Sequence, residues 1–197
     1  MRSKVIVYVA ASLDGYIARS DGSIDWLDIA GPAEAERSMS DFVELLANVD
    51  CLVVGRKTFD MVKRFCPWPY GALPVVVLST TLGEAPQIEG ANIRIRSAQP
   101  TDLLRELEGE GLTRIYIDGG VTIHGFLREG LVERITVATV PILLGTGRPL
   151  FPEIGFVTNL KLESSVVLES GIVKSAYRCL PEAQMENRRE YPDINGI

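Results

Sequence analysis

The stretch RIYIDGGVTIHGFLREG, Arg114 to Gly130, runs from strand-like residues through an acid and two glycines into a helix-like pattern that carries the chain's only histidine. Two chemistries fit a glycine pair in that position. It is either a phosphate cradle, because backbone N–H groups at a helix start attract anions, or a tight turn that glycine alone permits. Two other stretches end strand-like runs in a similar way. GRKT, Gly55 to Thr58, starts a helix-like segment and adds two cations, and LSTT, Leu78 to Thr81, adds hydroxyl groups. Backbone donors, hydroxyls and cations together suit phosphates. Each signal is weak alone, since Arg56 and Lys57 read more readily as solvated surface charges than as phosphate ligands. Neither G-x-G-x-x-G nor G-x-x-x-x-G-K-[ST] is present, so no generic nucleotide fingerprint is matched. The argument rests on three sites at one end of one sheet.

The elements that must position these sites are short and β-branched. Val5–Ala10, Cys51–Gly55, Pro74–Ser79, Asn92–Arg96 and Arg114–Asp118 are strand candidates, several of them apolar on consecutive residues, as expected for strands covered on both faces. Between them lie helical spacings. Phe42, Leu45, Leu46 and Val49 fall at i, i+3, i+4 and i+7, and TDLLRELEGEG opens on Thr101 as N-cap and stops at glycines. Strand then helix, repeated, predicts an α/β fold with a mostly parallel sheet, whose ligands bind beyond the carboxyl ends of the strands. Towards the end of the chain the pattern changes. Val132–Val140, Asn159–Ser170 and Gly171–Leu180 are strand candidates with no good helix between them. The last two join at LESGIV, which reads as a hairpin turn and adds an antiparallel edge.

Composition limits the function classes. At 197 residues the chain can bury one substantial core, and 46% apolar with 23% charged residues is ordinary for a globular protein. We expect a single domain over 1–180 and a polar, irregular tail over 181–197 that is loose or packs on a neighbour. A net charge of -6 argues against a nucleic-acid surface. Cys51, Cys66 and Cys179 are odd in number and lack metal-ligand spacing, so neither a disulfide framework nor a metal site is expected, and a reducing compartment is. No apolar run approaches the roughly 20 residues of a membrane helix. The expected location is the cytoplasm.

A resemblance now adds to these readings. VAASLDGYIARSDGSIDWL, VVGRKTFDMV, VVVLSTT, IYIDGGVTIHGFLREGLVERITVATVPILLGTGRPLF and the closing hairpin resemble, in order over about residues 4 to 180, the dihydrofolate-reductase-like superfamily. Within it the chain is most similar to the RibD C-terminal family, the reductase domain of riboflavin biosynthesis. The resemblance implies a dihydrofolate-reductase-like fold with a mixed, mostly parallel eight-stranded sheet flanked by helices and a C-terminal antiparallel hairpin. It also implies NADPH as cofactor and a homodimer. The implied activity is reduction of a small heterocyclic or imine substrate, similar to 5-amino-6-(5-phosphoribosylamino)uracil reductase. Carried over by motif, the backbone around Ala10 and Ile17 holds the nicotinamide carboxamide. Gly119, Gly120, Val121 and Thr122 cradle the diphosphate. Gly55, Arg56, Lys57 and Thr58 approach phosphates, and Leu78, Ser79, Thr80 and Arg96 lie near the adenosine.

Such a reduction needs a hydride donor held face-on, a proton source and exclusion of water. The candidate acids are Asp14, Asp25 and Asp118. Asp14 precedes Gly15 and either caps an Asp-Gly turn or serves the substrate or its proton. Asp118 is either satisfied by N–H groups of the following helix or functional. His124 is expected at the surface or facing phosphate. Trp26 is expected as an active-site wall. Arg148 and Arg37 are candidates to meet an anionic substrate. Classical dihydrofolate reductases carry an acid in the first long helix, whereas Gly31 and Pro32 stand there in this chain. That departure leaves open a divergent folate reductase, or a non-catalytic nucleotide-binding or scaffold protein that retains the fold. No flavin-specific pattern occurs.

Overall fold

A computed structural model of the chain describes residues 3–152 and 155–180. The expected tail over 181–197 lies outside them. In chain order the elements are β1 (Lys4–Ser12), β2 (Tyr16–Ala18), a 3-10 turn (Asp25–Ala30), α1 (Pro32–Ala47), β3 (Cys51–Gly55), α2 (Arg56–Val62), β4 (Pro74–Leu78) and β5 (Asn92–Arg96). They continue with α3 (Pro100–Gly109), β6 (Arg114–Asp118), α4 (Gly120–Arg128), β7 (Arg134–Val140), β8 (Arg148–Pro149), β9 (Leu160–Val167) and β10 (Val173–Cys179). Eight strands form one sheet in the order β5-β4-β3-β6-β1-β7-β10-β9. All neighbours from β5 to β7 are parallel, and β10 runs against both β7 and β9. The mixed, mostly parallel sheet with an antiparallel C-terminal hairpin is therefore present. Val132–Val140 is not itself part of the reversal, because β7 pairs with β1 in parallel from Ile6 opposite Arg134 to Ser12 opposite Val140.

Alternation along the strands builds a core on each face of the sheet. Val5 and Val7, Val53, Val76, Ile115 and Ile117 point to the face covered by α3 and α4, where Leu103, Leu107, Ile123 and Phe126 close the layer. Leu52 and Val54, Val75, Val77 and Tyr116 point to the other face, against Phe59 and Val62 of α2 and partly buried Phe42, Leu45 and Leu46 of α1. Complete burial of Ile123 and Phe126 contributes about 1.5–3 kcal/mol each, which fixes where α4 begins. At the opposite end of the sheet, the Asp50 carboxylate accepts from the N–H groups of Thr113 and Arg114 at 3.0 and 2.8 Å. The Arg114 guanidinium beside it holds that carboxyl down at about 2.

Two local expectations are corrected. Thr101 is not an N-cap: α3 starts one residue earlier at Pro100 with Gln99 as cap, because proline is preorganised for the first helical position. The Thr101 hydroxyl instead donates to Glu129. Val49 lies beyond α1, which ends at Ala47. The stretch PILLGTGRPLF contains β8, which pairs with β2 in a separate two-stranded sheet. Among the described residues no helix is long and apolar enough to cross a membrane.

Candidate functional site

Strands β5, β4, β3, β6 and β1 deliver their carboxyl ends to one cleft of about 1510 Å³. All fourteen residues assigned to a cofactor by motif line it: Ala10, Ile17, Gly55, Arg56, Lys57, Thr58, Leu78, Ser79, Thr80, Arg96, Gly119, Gly120, Val121 and Thr122. The parallel register explains the convergence, because Gly55 pairs with Leu78, Leu78 with Arg96, and Val54 with Asp118.

At the glycine pair, turn and cradle prove compatible. Gly119 has φ +94°, a conformation that side-chain-bearing residues rarely adopt, and a Cβ there would fall on Thr58 Oγ1. Gly120 lies under β8, where a Cβ would come within 2.9 Å of the Pro149 carbonyl oxygen and 3.5 Å of Ile17 Cδ1. Both glycines are thus required by the turn. The turn in turn starts α4 at Gly120, so the N–H groups of Gly120, Val121 and Thr122 have no carbonyl behind them in the helix. They open onto the cleft with Val121 81% exposed, a geometry that suits an anion.

Charge is placed unevenly around this turn. Arg56 donates to Asp60 at 2.6 Å and Arg96 to Glu106, so each already has a carboxylate partner. Lys57 and Arg148 line the cleft and have no ion pair among the described residues. Arg148 lies against Gly22, where a Cβ would be 2.8 Å from its guanidinium. Asp118 ends β6 beside the turn and accepts from the Gly119 N–H at 2.7 Å. Burial raises its carboxyl to about 6 despite that hydrogen bond, so it exchanges its proton within reach of neutral pH. Tyr116 and Tyr70, buried on the same side, have their hydroxyls held protonated by burial and by Asp118, and Tyr116 Oη donates to the Tyr8 carbonyl at 2.9 Å.

Two expected site residues stand elsewhere. Trp26 is 1% exposed and packs with Val140 and Ile172 in a separate small core. Its indole therefore forms no cleft wall, and its N–H lacks a partner among the described residues. Asp14 does not line the cleft either. Its carboxylate accepts from Ser12 Oγ at 2.6 Å and from the N–H groups of Leu144 and Gly145 at 3.1 and 2.7 Å. It therefore ties the β1–β2 loop to the β7–β8 loop, which is the turn-capping reading extended across the fold. Asp25 pairs with Arg19 at 2.7 Å. His124 is half-buried and stacks on Phe156 at 5.8 Å.

Sequence reasoning missed the apolar wall. Phe42, Met61 and Tyr70 line the cleft together with Tyr8 and Tyr116, and Phe42 and Tyr70 have ring centroids 6.1 Å apart. Strand alternation placing Tyr8 and Tyr116 on the α1/α2 face was the available signal.

Comparison with known proteins agrees with this geometry. The family model for the RibD C-terminal domain matches residues 3–174. The structure is similar to one from Shewanella sp. PV-4, whose protein has a provisional riboflavin-biosynthesis name, at 38% identity and TM-score 0.81 over 90% of this chain and 99% of that one. It shares its fold with the Thermotoga maritima diaminohydroxyphosphoribosylaminopyrimidine deaminase/5-amino-6-(5-phosphoribosylamino)uracil reductase, at 14% identity and TM-score 0.70 over 91% of this chain but 57% of that one. Dihydrofolate reductase from Enterococcus faecalis, solved with NADP(H) and RAB-propyl, is similar at 15% identity and TM-score 0.59 over 90% of this chain and 97% of that one. The fold is dihydrofolate-reductase-like, and the chain belongs to the RibD C-terminal domain family.

Proposed function

We propose that the chain is an NADPH-dependent reductase of a small heterocyclic or imine-containing substrate. The observation that carries this reading is the junction at Asp118–Thr122, where an acid with raised proton affinity stands beside a glycine turn whose free N–H groups face a cleft lined by two cations that have no ion pair among the described residues. The residues fit a dinucleotide, because the helix start at Gly120, Val121 and Thr122 offers backbone N–H groups to a cleft that Lys57 and Arg148 also line. When bound, NADPH supplies the hydride. The N–H groups of Gly120, Val121 and Thr122 hold its diphosphate, and Lys57 and Arg148 add positive charge. The backbone around Ala10 and Ile17 orients the carboxamide, while Ser79, Thr80 and Arg96 border the adenosine. Asp118, whose carboxyl titrates at about 6, gives its proton to a substrate nitrogen or oxygen when in its acid form. Arg96, bordering the adenosine, favours NADPH over NADH, since a 2′-phosphate seeks a cation.

Folate is a poor fit as the physiological substrate, because α1 opens with Gly31 and Pro32 where classical folate reductases carry an acid. The same reading includes a homodimer, for which the edge strand β9, exposed along its whole length, is the available surface. Thermal melting with NADPH, with NADH and without ligand tests the proposal. A ligand at a hundred times its Kd stabilises by about 2.7 kcal/mol, so a rise specific to NADPH is expected. No rise with either nucleotide would leave the glycine pair as a turn only.

A further inference from the structure

We propose that Glu106 of α3 is a positioning residue of the cofactor site: it grips the Arg96 guanidinium at one nitrogen and leaves the others to take the 2′-phosphate of NADPH. The inference rests on the reductase reading and adds a residue that does not itself line the cleft. Arg96 ends β5, the edge strand of the sheet. Its backbone is fixed there, because it pairs with Leu78 and its carbonyl accepts from the Ser79 N–H at 3.0 Å. The long side chain at the cleft is a separate matter, since ordering it only on binding would cost affinity.

Glu106 does that ordering in advance. Its Oε1 accepts from Arg96 Nε at 2.5 Å, and the Ile95 carbonyl accepts from Arg96 Nη1 at 3.0 Å. Two of the five N–H donors of the guanidinium are thereby used, and the other three have no acceptor among the described residues. Glu106 is itself held, because Leu103, Leu104 and Leu107 bury one face of α3 and fix the helix against the sheet. The neighbouring pair differs. Arg94, two residues back on β5, gives its Nη1 to Glu110 at 2.6 Å and does not line the cleft, so that pair only ties strand to helix. Arg96 lines the cleft and keeps both terminal nitrogens with donors to spare. A carboxylate beside a phosphate site also repels the phosphate. Arg96 and Glu106 are each 37% exposed in their side chains, so water and salt screen that repulsion, whereas the ordering of the arginine is not screened. Removing Glu106 separates the two effects by the sign of the change.

The test is calorimetric titration of NADPH and of NADH into the parent protein, Glu106→Ala and Glu106→Gln. Alanine is favourable within a helix, and glutamine keeps the shape of the side chain. Glu106→Ala is expected to lower NADPH affinity roughly three- to tenfold and to leave NADH unchanged, because NADH has no 2′-phosphate. Glu106→Gln retains an oxygen for Arg96 Nε and is expected to lose less. In an Arg96→Ala background, Glu106→Ala is expected to cause no further loss. NADPH affinity in Glu106→Ala equal to or above that of the parent, an equal loss for both nucleotides, or an undiminished loss in the Arg96→Ala background would overturn the inference. Failure of the parent protein to bind either nucleotide would instead overturn the reductase reading and this inference with it.

Discussion

Replacing the acid beside the glycine turn, Asp118→Asn, separates stability from function in a way the structure makes quantitative. The Asp118 carboxyl titrates near 6 in the folded chain against 3.8 unperturbed, because burial disfavours its charge. The folded chain then binds this proton more tightly than the unfolded chain does. Its contribution is full below about pH 4, falls as pH rises through about 6 and is flat above. The loss amounts to at most about 3 kcal/mol. Asparagine has nearly the same shape and keeps an oxygen to accept from the Gly119 N–H, but carries no charge. D118N is therefore expected to be more stable than the parent by up to about 3 kcal/mol at pH 8 and nearly equal to it at pH 4. Each kcal/mol corresponds to about 2–4 °C in Tm for a chain of this size. Urea denaturation at both pH values measures the difference. Equal stability of the two proteins at pH 8, or the same gain at both pH values, would refute the reasoning.

Three further outcomes follow from the same geometry. Gly119→Ala forces a side chain onto φ +94° and against Thr58; it should cost about 1–3 kcal/mol of stability and weaken NADPH binding, and an unaffected denaturation midpoint would contradict the turn geometry. Lys57→Ala should lower the affinity for NADPH and NADH alike by about 1 kcal/mol, roughly fivefold, because the diphosphate is common to both. A loss confined to NADPH in a fluorescence titration would show that this lysine reads the 2′-phosphate and not the diphosphate. Asp14→Ala removes the acceptor for the N–H groups of Leu144 and Gly145, and hydrogen exchange at those two amides should quicken by roughly tenfold. Unchanged exchange would mean that the two loops are held by other contacts.

Much of the fold was legible because β1, β3, β4 and β6 are buried on both faces and therefore read as unbroken apolar runs. The convergence of Gly55, Leu78 and Gly119 was legible for a related reason: in a parallel sheet, every strand ends at the same edge. What could not be read depends on contacts between distant residues. The Asp14 carboxylate finds its donors 130 and 131 residues away, and no local pattern distinguishes that clamp from an ordinary Asp-Gly turn. Trp26 is expected as a cleft wall, yet it packs with Val140 and Ile172, distant in sequence, in a small core. Asp118 gives no sign in sequence of how deeply the neighbouring strands and Tyr70 shield it, and its raised proton affinity comes from that shielding.

The central claim is that the backbone from Gly120 to Thr122 holds the diphosphate of NADPH. Amide chemical shifts of labelled protein, recorded by NMR during an NADPH titration, test it at the atoms concerned. The account predicts saturable changes that are largest at the Gly120, Val121 and Thr122 N–H groups, with smaller ones at Lys57 and Ser79. Saturable binding that leaves those three amides unmoved, or no change at any amide, would contradict it.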